Sequence, residues 1–368
     1  MKKVFLALAA VAALAACSKS EVAYEQEDAQ IAISPVAANR TKAMVSGTEF
    51  PAEDFMVWAY YKQLDAGKSI ADWQAATAFA QQTYIEEKPF EPSGTEGLWA
   101  GKIPYYWPKL GSLLFVGYYP ATEDMAELVS YEFTSDVNKM AIGDKETGVF
   151  FTPGDYETTG FVNNAAGAKC VEDFMYFNMT PASCDGSTVG ADNSVTSGYQ
   201  IDVHFRHALS WISVVLAKDA KTPDEATITV KSVTFTDVKT SGTGVVDNSP
   251  VAPATNEIAW DTTGSADVDV NVWTGEKVLG AAETLEKQPV VIPQGMAGNL
   301  VVTYVVSSED GSSFEETKTI ALADINSENP TWEPGQKYTY TITIGTTEIL
   351  IDPAIVDWVP VTPSVPVE

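Results

Sequence analysis

Apolar and polar positions alternate with a period of two over much of this chain. In "KYTYTITI" (337–344), Tyr338, Tyr340, Ile342 and Ile344 fall on one face, and Thr339, Thr341 and Thr343 on the other. That spacing predicts a strand with one buried face. "DFMVWAYY", "SLLFVGYY", "DVHFRHALSWISVVL", "ATITVKSVTFTDV" and "NLVVTYVV" share the enrichment in Val, Ile, Thr and aromatic residues that suits a pleated, half-buried surface. Clusters of Gly, Pro, Asn and Asp separate them, as in "FTPGDYETTG" and "TSGTGVVDNSPVAPATNE", and mark turns. One stretch, "SIADWQAATAFAQQTYIEE" (69–87), has helical spacing: Ser69 would cap it, and Ile70, Trp73 and Ala76 would line a face. Its residues 83–85 read equally well as strand. The pattern as a whole predicts an all-β chain of two antiparallel β-sandwich domains in series.

The first residues do not belong to that pattern. "MKKVFLALAAVAALAACSKS" places two lysines before an apolar run over residues 4–16, then a cysteine after small residues. This is the layout of a secretory signal peptide, with a run too short to span a bilayer. "LAAC" resembles a bacterial lipobox, which is cut before the cysteine and lipidated on its sulfur. Residues 1–16 are therefore set aside, and the mature chain is expected to start at a lipidated Cys17. No later segment is long and apolar enough to cross a membrane, so contact with one is expected only through the lipid.

Charge narrows the partners. The chain carries 22 Lys and Arg against 50 Asp and Glu, a formal charge of −28. Such a chain is repelled by nucleic acid and by anionic headgroups, which argues against both as ligands. A 45% hydrophobic content with 11% aromatics supplies a core, unlike a disordered acidic tail. The polar stretch after Val238 is the best domain boundary. It gives a lipidated segment over 17–40, a first domain over 41–240 and a second over 241–368.

Reactive constellations are scarce in the sequence. His204 and His207, three apart on a strand, point to opposite faces and do not form a metal pair. "DVDVN" at 267–271 opens like a calcium loop, but Val272 stands where Gly is needed and Val278 where Glu is needed. Gly101–Lys102 lacks the glycine five residues upstream that a phosphate-binding loop requires. No nucleophile elbow or cysteine–histidine arrangement appears. The expectation is no catalytic residue, no metal and no cofactor. With Cys17 lipidated, Cys170 and Cys184 remain; they either close a disulfide or stay as thiols.

Five short motifs do follow one another in a fixed order: "IPYYWPKLGSLLFVGYYP", "HFRHALSWISVVL", "VIPQG", "WEPGQKYTYTITI" and "IDPAIVDW". Together with the lipobox, they resemble the fimbrillin family of Bacteroidales surface lipoproteins, which build or cap type V pili. The resemblance implies two transthyretin-like antiparallel β-sandwich domains, no catalysis, and assembly with other pilus subunits by strand donation. It also implies an outer-membrane precursor that joins the fimbria after a trypsin-like cut. On that reading "IAISP", with Ile31 and Ile33 on one face, is the removable strand. Arg40, then Lys42, in "VAANRTKAMV" (36–45) are the cleavage positions. The tail "DWVPVTPSVPVE" offers Val359, Val361, Val365 and Val367 as donor residues. Pro360, Pro363 and Pro366 each remove a hydrogen-bond donor, so the donated strand could instead lie around "TEILIDPAIVDW". The alternative is an uncut surface lipoprotein or tip adhesin that holds a glycan or host protein through exposed aromatics such as Trp73 and Trp99.

Overall fold

A computed structural model describes residues 30–36, 50, 52–62, 82–95, 97–108, 111–134, 137–143, 155–157, 160–162, 174–178, 194–196, 200–248, 257–328 and 330–357. The described chain is all-β, with short helices at Glu123–Leu128 and Leu322–Ile325. Thr122 caps the first of these, its hydroxyl accepting from the Met125 amide at 3.2 Å.

The amino-terminal half is organised around one nine-stranded sheet. Its order is Ser194–Thr196, Gln200–His204, Ala32–Val36, Trp99–Gly101, Gln82–Pro92, Phe55–Lys62, Ser112–Tyr119, Met175–Asn178, Arg206–His207. Gln200–His204 and Arg206–His207 lie near opposite ends of that order, yet only Phe205 separates them in sequence. The two steps from His204 to Arg206 span at most about 7 Å of chain, so the sheet must roll up until these two strands come close. Inside the roll sits a core that includes Ile33, Phe55, Phe90, Trp99, Phe115 and Phe205.

The outer face of this sheet is covered too. A four-stranded sheet of Ala259–Asp261, Thr243–Asp247, Asn138–Ile142 and Val129–Phe133 packs Met140, Ile142 and Val246 against Trp58, Tyr60 and Val116. That is why "SLLFVGYY" is apolar at nearly every position: all of Ser112–Tyr119 is buried, as in strands covered on both faces.

The carboxy-terminal half is a β-sandwich. One sheet runs Asp267–Val278, Ala226–Lys239, Asn299–Ser308, Ser313–Ala321; the other holds Ser210–Lys218, Gln336–Ile344 and, at its edge, Ile349–Asp357. Tyr338, Tyr340, Ile342 and Ile344 are all at most 1% exposed, so the alternation in "KYTYTITI" points one face into the core between the sheets. The motif 204–216 joins the two halves. His207, Leu209 and Trp211 are buried on the amino-terminal side, and then Ile212, Val214 and Leu216 turn their side chains into the sandwich core.

Two pairings are parallel, against the expectation of purely antiparallel sheets: Ala32–Val36 with Gln200–His204, and Ser210–Lys218 with Gln336–Ile344. Pairings also cross residue 240 in both directions. Ala226–Lys239 joins the carboxy-terminal sandwich, whereas Thr243–Asp247 returns to Asn138–Ile142 in the first half. The expected helix over 69–87 is corrected where it can be seen, because Gln82–Pro92 is a strand paired with Phe55–Lys62. Burial of Ile85 and Phe90 in the rolled core outweighs a weak helical preference. Ser69, Ile70, Trp73 and Ala76 lie outside the described residues.

Candidate functional site, a strand slot in the first sheet

The strand Ala32–Val36 occupies the interior of the nine-stranded sheet, not its edge. On one side it runs parallel to Gln200–His204 through five pairs, from Ala32 with Gln200 to Val36 with His204. Among the described residues, the other side meets the strand Trp99–Gly101 at one position, Ile33 opposite Trp99. Two further contacts extend that side: the Ile31 amide donates to the Tyr105 carbonyl at 2.8 Å, and Gln30 bridges Tyr106. Amide and carbonyl of one residue point to the same side of a strand, and the side alternates with each residue. Odd positions therefore face Trp99, and even positions face Gln200–His204. Pro35 has no N–H to offer on the Trp99 side, where the pairing has already ended, so the proline costs no ladder bond.

Buried side chains anchor the strand alongside the ladder. Ile31 and Ile33 are 1% and 0% exposed, and Pro35 is buried on the same face. The two isoleucines meet Ile201, Val203, Phe90 and Trp99 in the rolled core. Each fully buried isoleucine contributes roughly 1.5–3 kcal/mol, and each backbone bond about 1 kcal/mol net. Loss of the strand would leave the sheet split between Gln200–His204 and Trp99–Gly101.

The residues 101–106 brace the weaker side of the slot. A Cβ on Gly101 would lie 2.8 Å from the Tyr105 ring, so only glycine lets that ring lie flat. Tyr105 stacks on Phe90 with ring centroids 6.2 Å apart and 7° between planes. Burial pushes the Tyr105 phenol above its ordinary pKa, which keeps it neutral. The Tyr84 hydroxyl donates to the Tyr106 carbonyl, and Lys102 lies 3.8 Å from the Asp54 carboxylate and 3.6 Å from that of Glu91. Both ion pairs are exposed and contribute little.

Trp99 is not the exposed ligand-binding aromatic the sequence suggested. Its ring is 6% exposed, its Nε1 donates to the Glu53 carbonyl at 2.9 Å, and Phe50 packs edge-on at 5.5 Å. Burial of the ring over Ile33 makes it part of the slot wall. Cys17, Arg40, Lys42, Trp73, Cys170, Cys184, Val359, Val361, Val365 and Val367 lie outside the described residues. The residues next to the basic joint are described: Val36 ends the slot strand, and Phe50, 6% exposed, re-enters the core. His204 closes the ladder opposite Val36, while His207 is buried at the far end of the sheet opposite Met175. Among the described residues there is no group of three metal-type ligands, and no helix long and apolar enough to cross a membrane.

Among the described residues, the strand Ile349–Asp357 pairs with Gln336–Ile344 alone. Ile349 and Ile351 rest on the sandwich core, while Leu350, Ile355 and Val356 are 52%, 42% and 54% exposed. Long apolar edges of this kind invite pairing with another chain.

Comparison with known proteins places the fold. A family model described as fimbrillin-like matches residues 58–358. A solved fimbrial protein from Bacteroides vulgatus is similar at a TM-score of 0.50 and 13% identity, covering 89% of this chain and 99% of that one. A candidate cell adhesion protein from Bacteroides uniformis gives 0.47 and 15%, with 91% and 100% covered. The tip fimbrial protein Mfa3 from Porphyromonas gingivalis, truncated at its carboxy terminus, gives 0.35 and 10%, with 89% and 100% covered. No curated protein matches the sequence. The family match spans well over half of the chain and includes the strands that wall the slot, so this chain belongs to the fimbrillin-like family.

Proposed function

We propose that the protein is a structural and adhesive subunit of a type V fimbria, not an enzyme. It is exported as a lipoprotein through Cys17 and held at the outer membrane. A cut after Arg40 or Lys42 then frees it from the anchor and from its first strand. Another subunit's strand fills the vacated slot by β-augmentation. The observation that carries this reading is the position of Ala32–Val36: mid-sheet, with Ile31 and Ile33 buried, and joined to the rest through the basic stretch 37–49. A strand so placed cannot leave without exposing a row of backbone groups and apolar pockets. The uncut adhesin reading is weakened by Trp99, which is buried and bonded within the fold.

Limited trypsin treatment of the folded chain, followed by amino-terminal sequencing and sizing, tests this. Cleavage is expected mainly after Arg40 or Lys42, with larger assemblies forming once the amino-terminal piece has separated. Resistance of the joint, or trimmed protein that stays monomeric, would favour the uncut surface protein.

A further inference from the structure

We infer that the outward face of the four-stranded sheet in the carboxy-terminal half is a contact surface for the same face of a second copy of this chain. The strands are Asp267–Val278, Ala226–Lys239, Asn299–Ser308 and Ser313–Ala321. The contact is independent of the amino-terminal slot and needs no cut.

Alternation along the strands sets the face. Val230, Val233, Phe235, Leu300, Val302 and Tyr304 fill the sandwich core, so their neighbours in sequence point outward. A bulge between Val230 and Ser232 keeps both Val230 and Val233 inside. On Ala226–Lys239 the outward positions 227, 229, 232 and 234 are three threonines and a serine. On Asn299–Ser308, positions 301, 303, 305 and 307 are two valines, a threonine and a serine. Ser313–Ala321 adds a serine, a glutamate and two threonines at 313, 315, 317 and 319. Asp267–Val278 adds Asn271, Thr274 and Val278. The register aligns them in rows, so that Thr274, Ser232, Thr303 and Thr317 lie side by side across the sheet. All these positions are exposed or half-exposed.

Charge singles this face out. Among these positions only Glu315 is charged, although 20% of the whole chain is Asp, Glu, Lys or Arg. Lys231 and Glu276, at the bulge, are ion-paired with each other. Two copies of a chain at −28 repel one another, so a nearly neutral face is where they meet at least cost. Anionic partners gain nothing from such a face. A sugar would want aromatic rings to lie against, and none of these positions is aromatic.

Much of the polarity is already paired within the face. The Thr303 and Thr317 hydroxyls are 3.0 Å apart. The Asn271 amide donates to the Thr234 hydroxyl at 3.1 Å, and the Thr274 hydroxyl donates to the Asn271 side-chain carbonyl at 3.0 Å. Threonine and valine are stiff at χ1, so their burial freezes little rotamer freedom. Both features lower the cost of covering the face with a flat partner. Two such faces can pack about 10 Å apart in the aligned geometry of a sandwich. The rows span roughly 20 Å in each direction, so a pair would bury about 800–1,000 Å² in total. Firm complexes bury about 1,200–2,000 Å², so the contact is weak between single copies. Repeated along a fibre, it would become a firm lateral bond through avidity.

Sedimentation of the uncut full chain, from about 10 μM to about 1 mM at roughly 0.15 M salt, tests this. A reversible dimer is expected, with a Kd on the order of 0.1–1 mM. Thr303→Lys sets two lysines near one another across a two-fold axis. It should weaken the dimer about ten-fold or more, although it lowers the net negative charge of each copy. Thr341→Lys makes the same change of charge on the other sheet, opposite Asp352, and should leave the Kd unchanged. Mixing Thr303→Lys with Thr303→Asp should restore an association that neither shows alone. Thr317→Lys, exposed in the same row, carries the test if circular dichroism shows Thr303→Lys to be misfolded. A chain that stays monomeric at about 1 mM would overturn the assignment. Equal weakening by the two lysine variants, or a mixture no better than its parts, would overturn it as well. None of these outcomes bears on strand exchange, which is read only after the cut.

Discussion

Ile33 gives the sharpest handle on whether the amino-terminal strand is a replaceable part. Its side chain is 0% exposed and sits opposite Trp99 in the rolled core. Ile33→Ala removes three carbons, worth about 0.8 kcal/mol each on burial. With the cavity left behind, the total cost should reach about 2–5 kcal/mol. Trp99 reports locally, because its ring lies beside residue 33 and is held by Glu53 and Phe50. Denaturant unfolding followed by tryptophan emission should therefore show the full penalty in the uncut chain. After cleavage at the joint and removal of the fragment, residue 33 is gone from both proteins. Variant and parent should then unfold together, and each should be less stable than before unless a replacement strand is present. A penalty below about 1 kcal/mol in the uncut chain would contradict full burial of the isoleucine. A difference that survived the cut and the separation step would show that the strand stays in its slot.

Three further outcomes are expected. Cys17→Ala should abolish lipid labelling and membrane retention, and unchanged labelling would remove the lipoprotein claim. Gly117→Ala should destabilise the first sheet by about 1–3 kcal/mol or more, measured by thermal unfolding. A Cβ there would lie 2.3 Å from the Phe177 ring and 2.5 Å from the Met56 carbonyl oxygen, and the backbone side cannot simply rotate away. Alkaline unfolding should set in above pH 10. Burial pushes the Tyr340 phenol up from 10.0 to about 12, only partly offset by the hydrogen bonds from Trp332 and Asn326. A raised folded pKa gives stability that is complete below the unfolded value of 10.0 and fades as pH climbs toward about 12. Tyrosinate absorbance should rise together with loss of circular dichroism in that window. Full ionisation near pH 10 in a protein that keeps its fold would contradict the burial argument.

What the sequence reveals follows the reach of each signal. Alternation in "KYTYTITI" reports one buried face, and Tyr338, Tyr340, Ile342 and Ile344 are buried together. The same rule finds the slot strand, since Ile31 and Ile33 are two apart and both enter the core. Partner choice leaves no such trace. Nothing in "IAISP" points to Gln200–His204, more than 160 residues away, as its parallel neighbour. Trp99 is misread for a related reason: the strand Trp99–Gly101 has three residues, too few for a period, so the ring's burial over Ile33 goes unseen. The helix over 69–87 is misjudged at its end because Ile85 and Phe90 satisfy the core of the sheet, a tertiary demand that overrides local spacing.

The slot strand combines deep side-chain burial with sparse pairing on one side. Ile31 and Ile33 are among the most buried of the described side chains, and Pro35 is buried beside them, while among the described residues one of the strand's two sides is tied by a single strand bridge at Ile33, with the Ile31 amide and Gln30 beyond it. Backbone pairing is the same for any sequence, so a strand held mainly by its ladder would exchange without discrimination. A strand held mainly by pockets exchanges only for one that presents the same apolar series. On the proposed strand exchange, Ile31, Ile33 and Pro35 would act as a pattern to be matched, and the side next to Trp99, Tyr105 and Tyr106 would let a matching strand be taken in. On this view the acidic surface, at −28 overall, keeps copies apart until the slot opens. Specific pocket filling then has to overcome that repulsion, and assembly should strengthen as salt is raised.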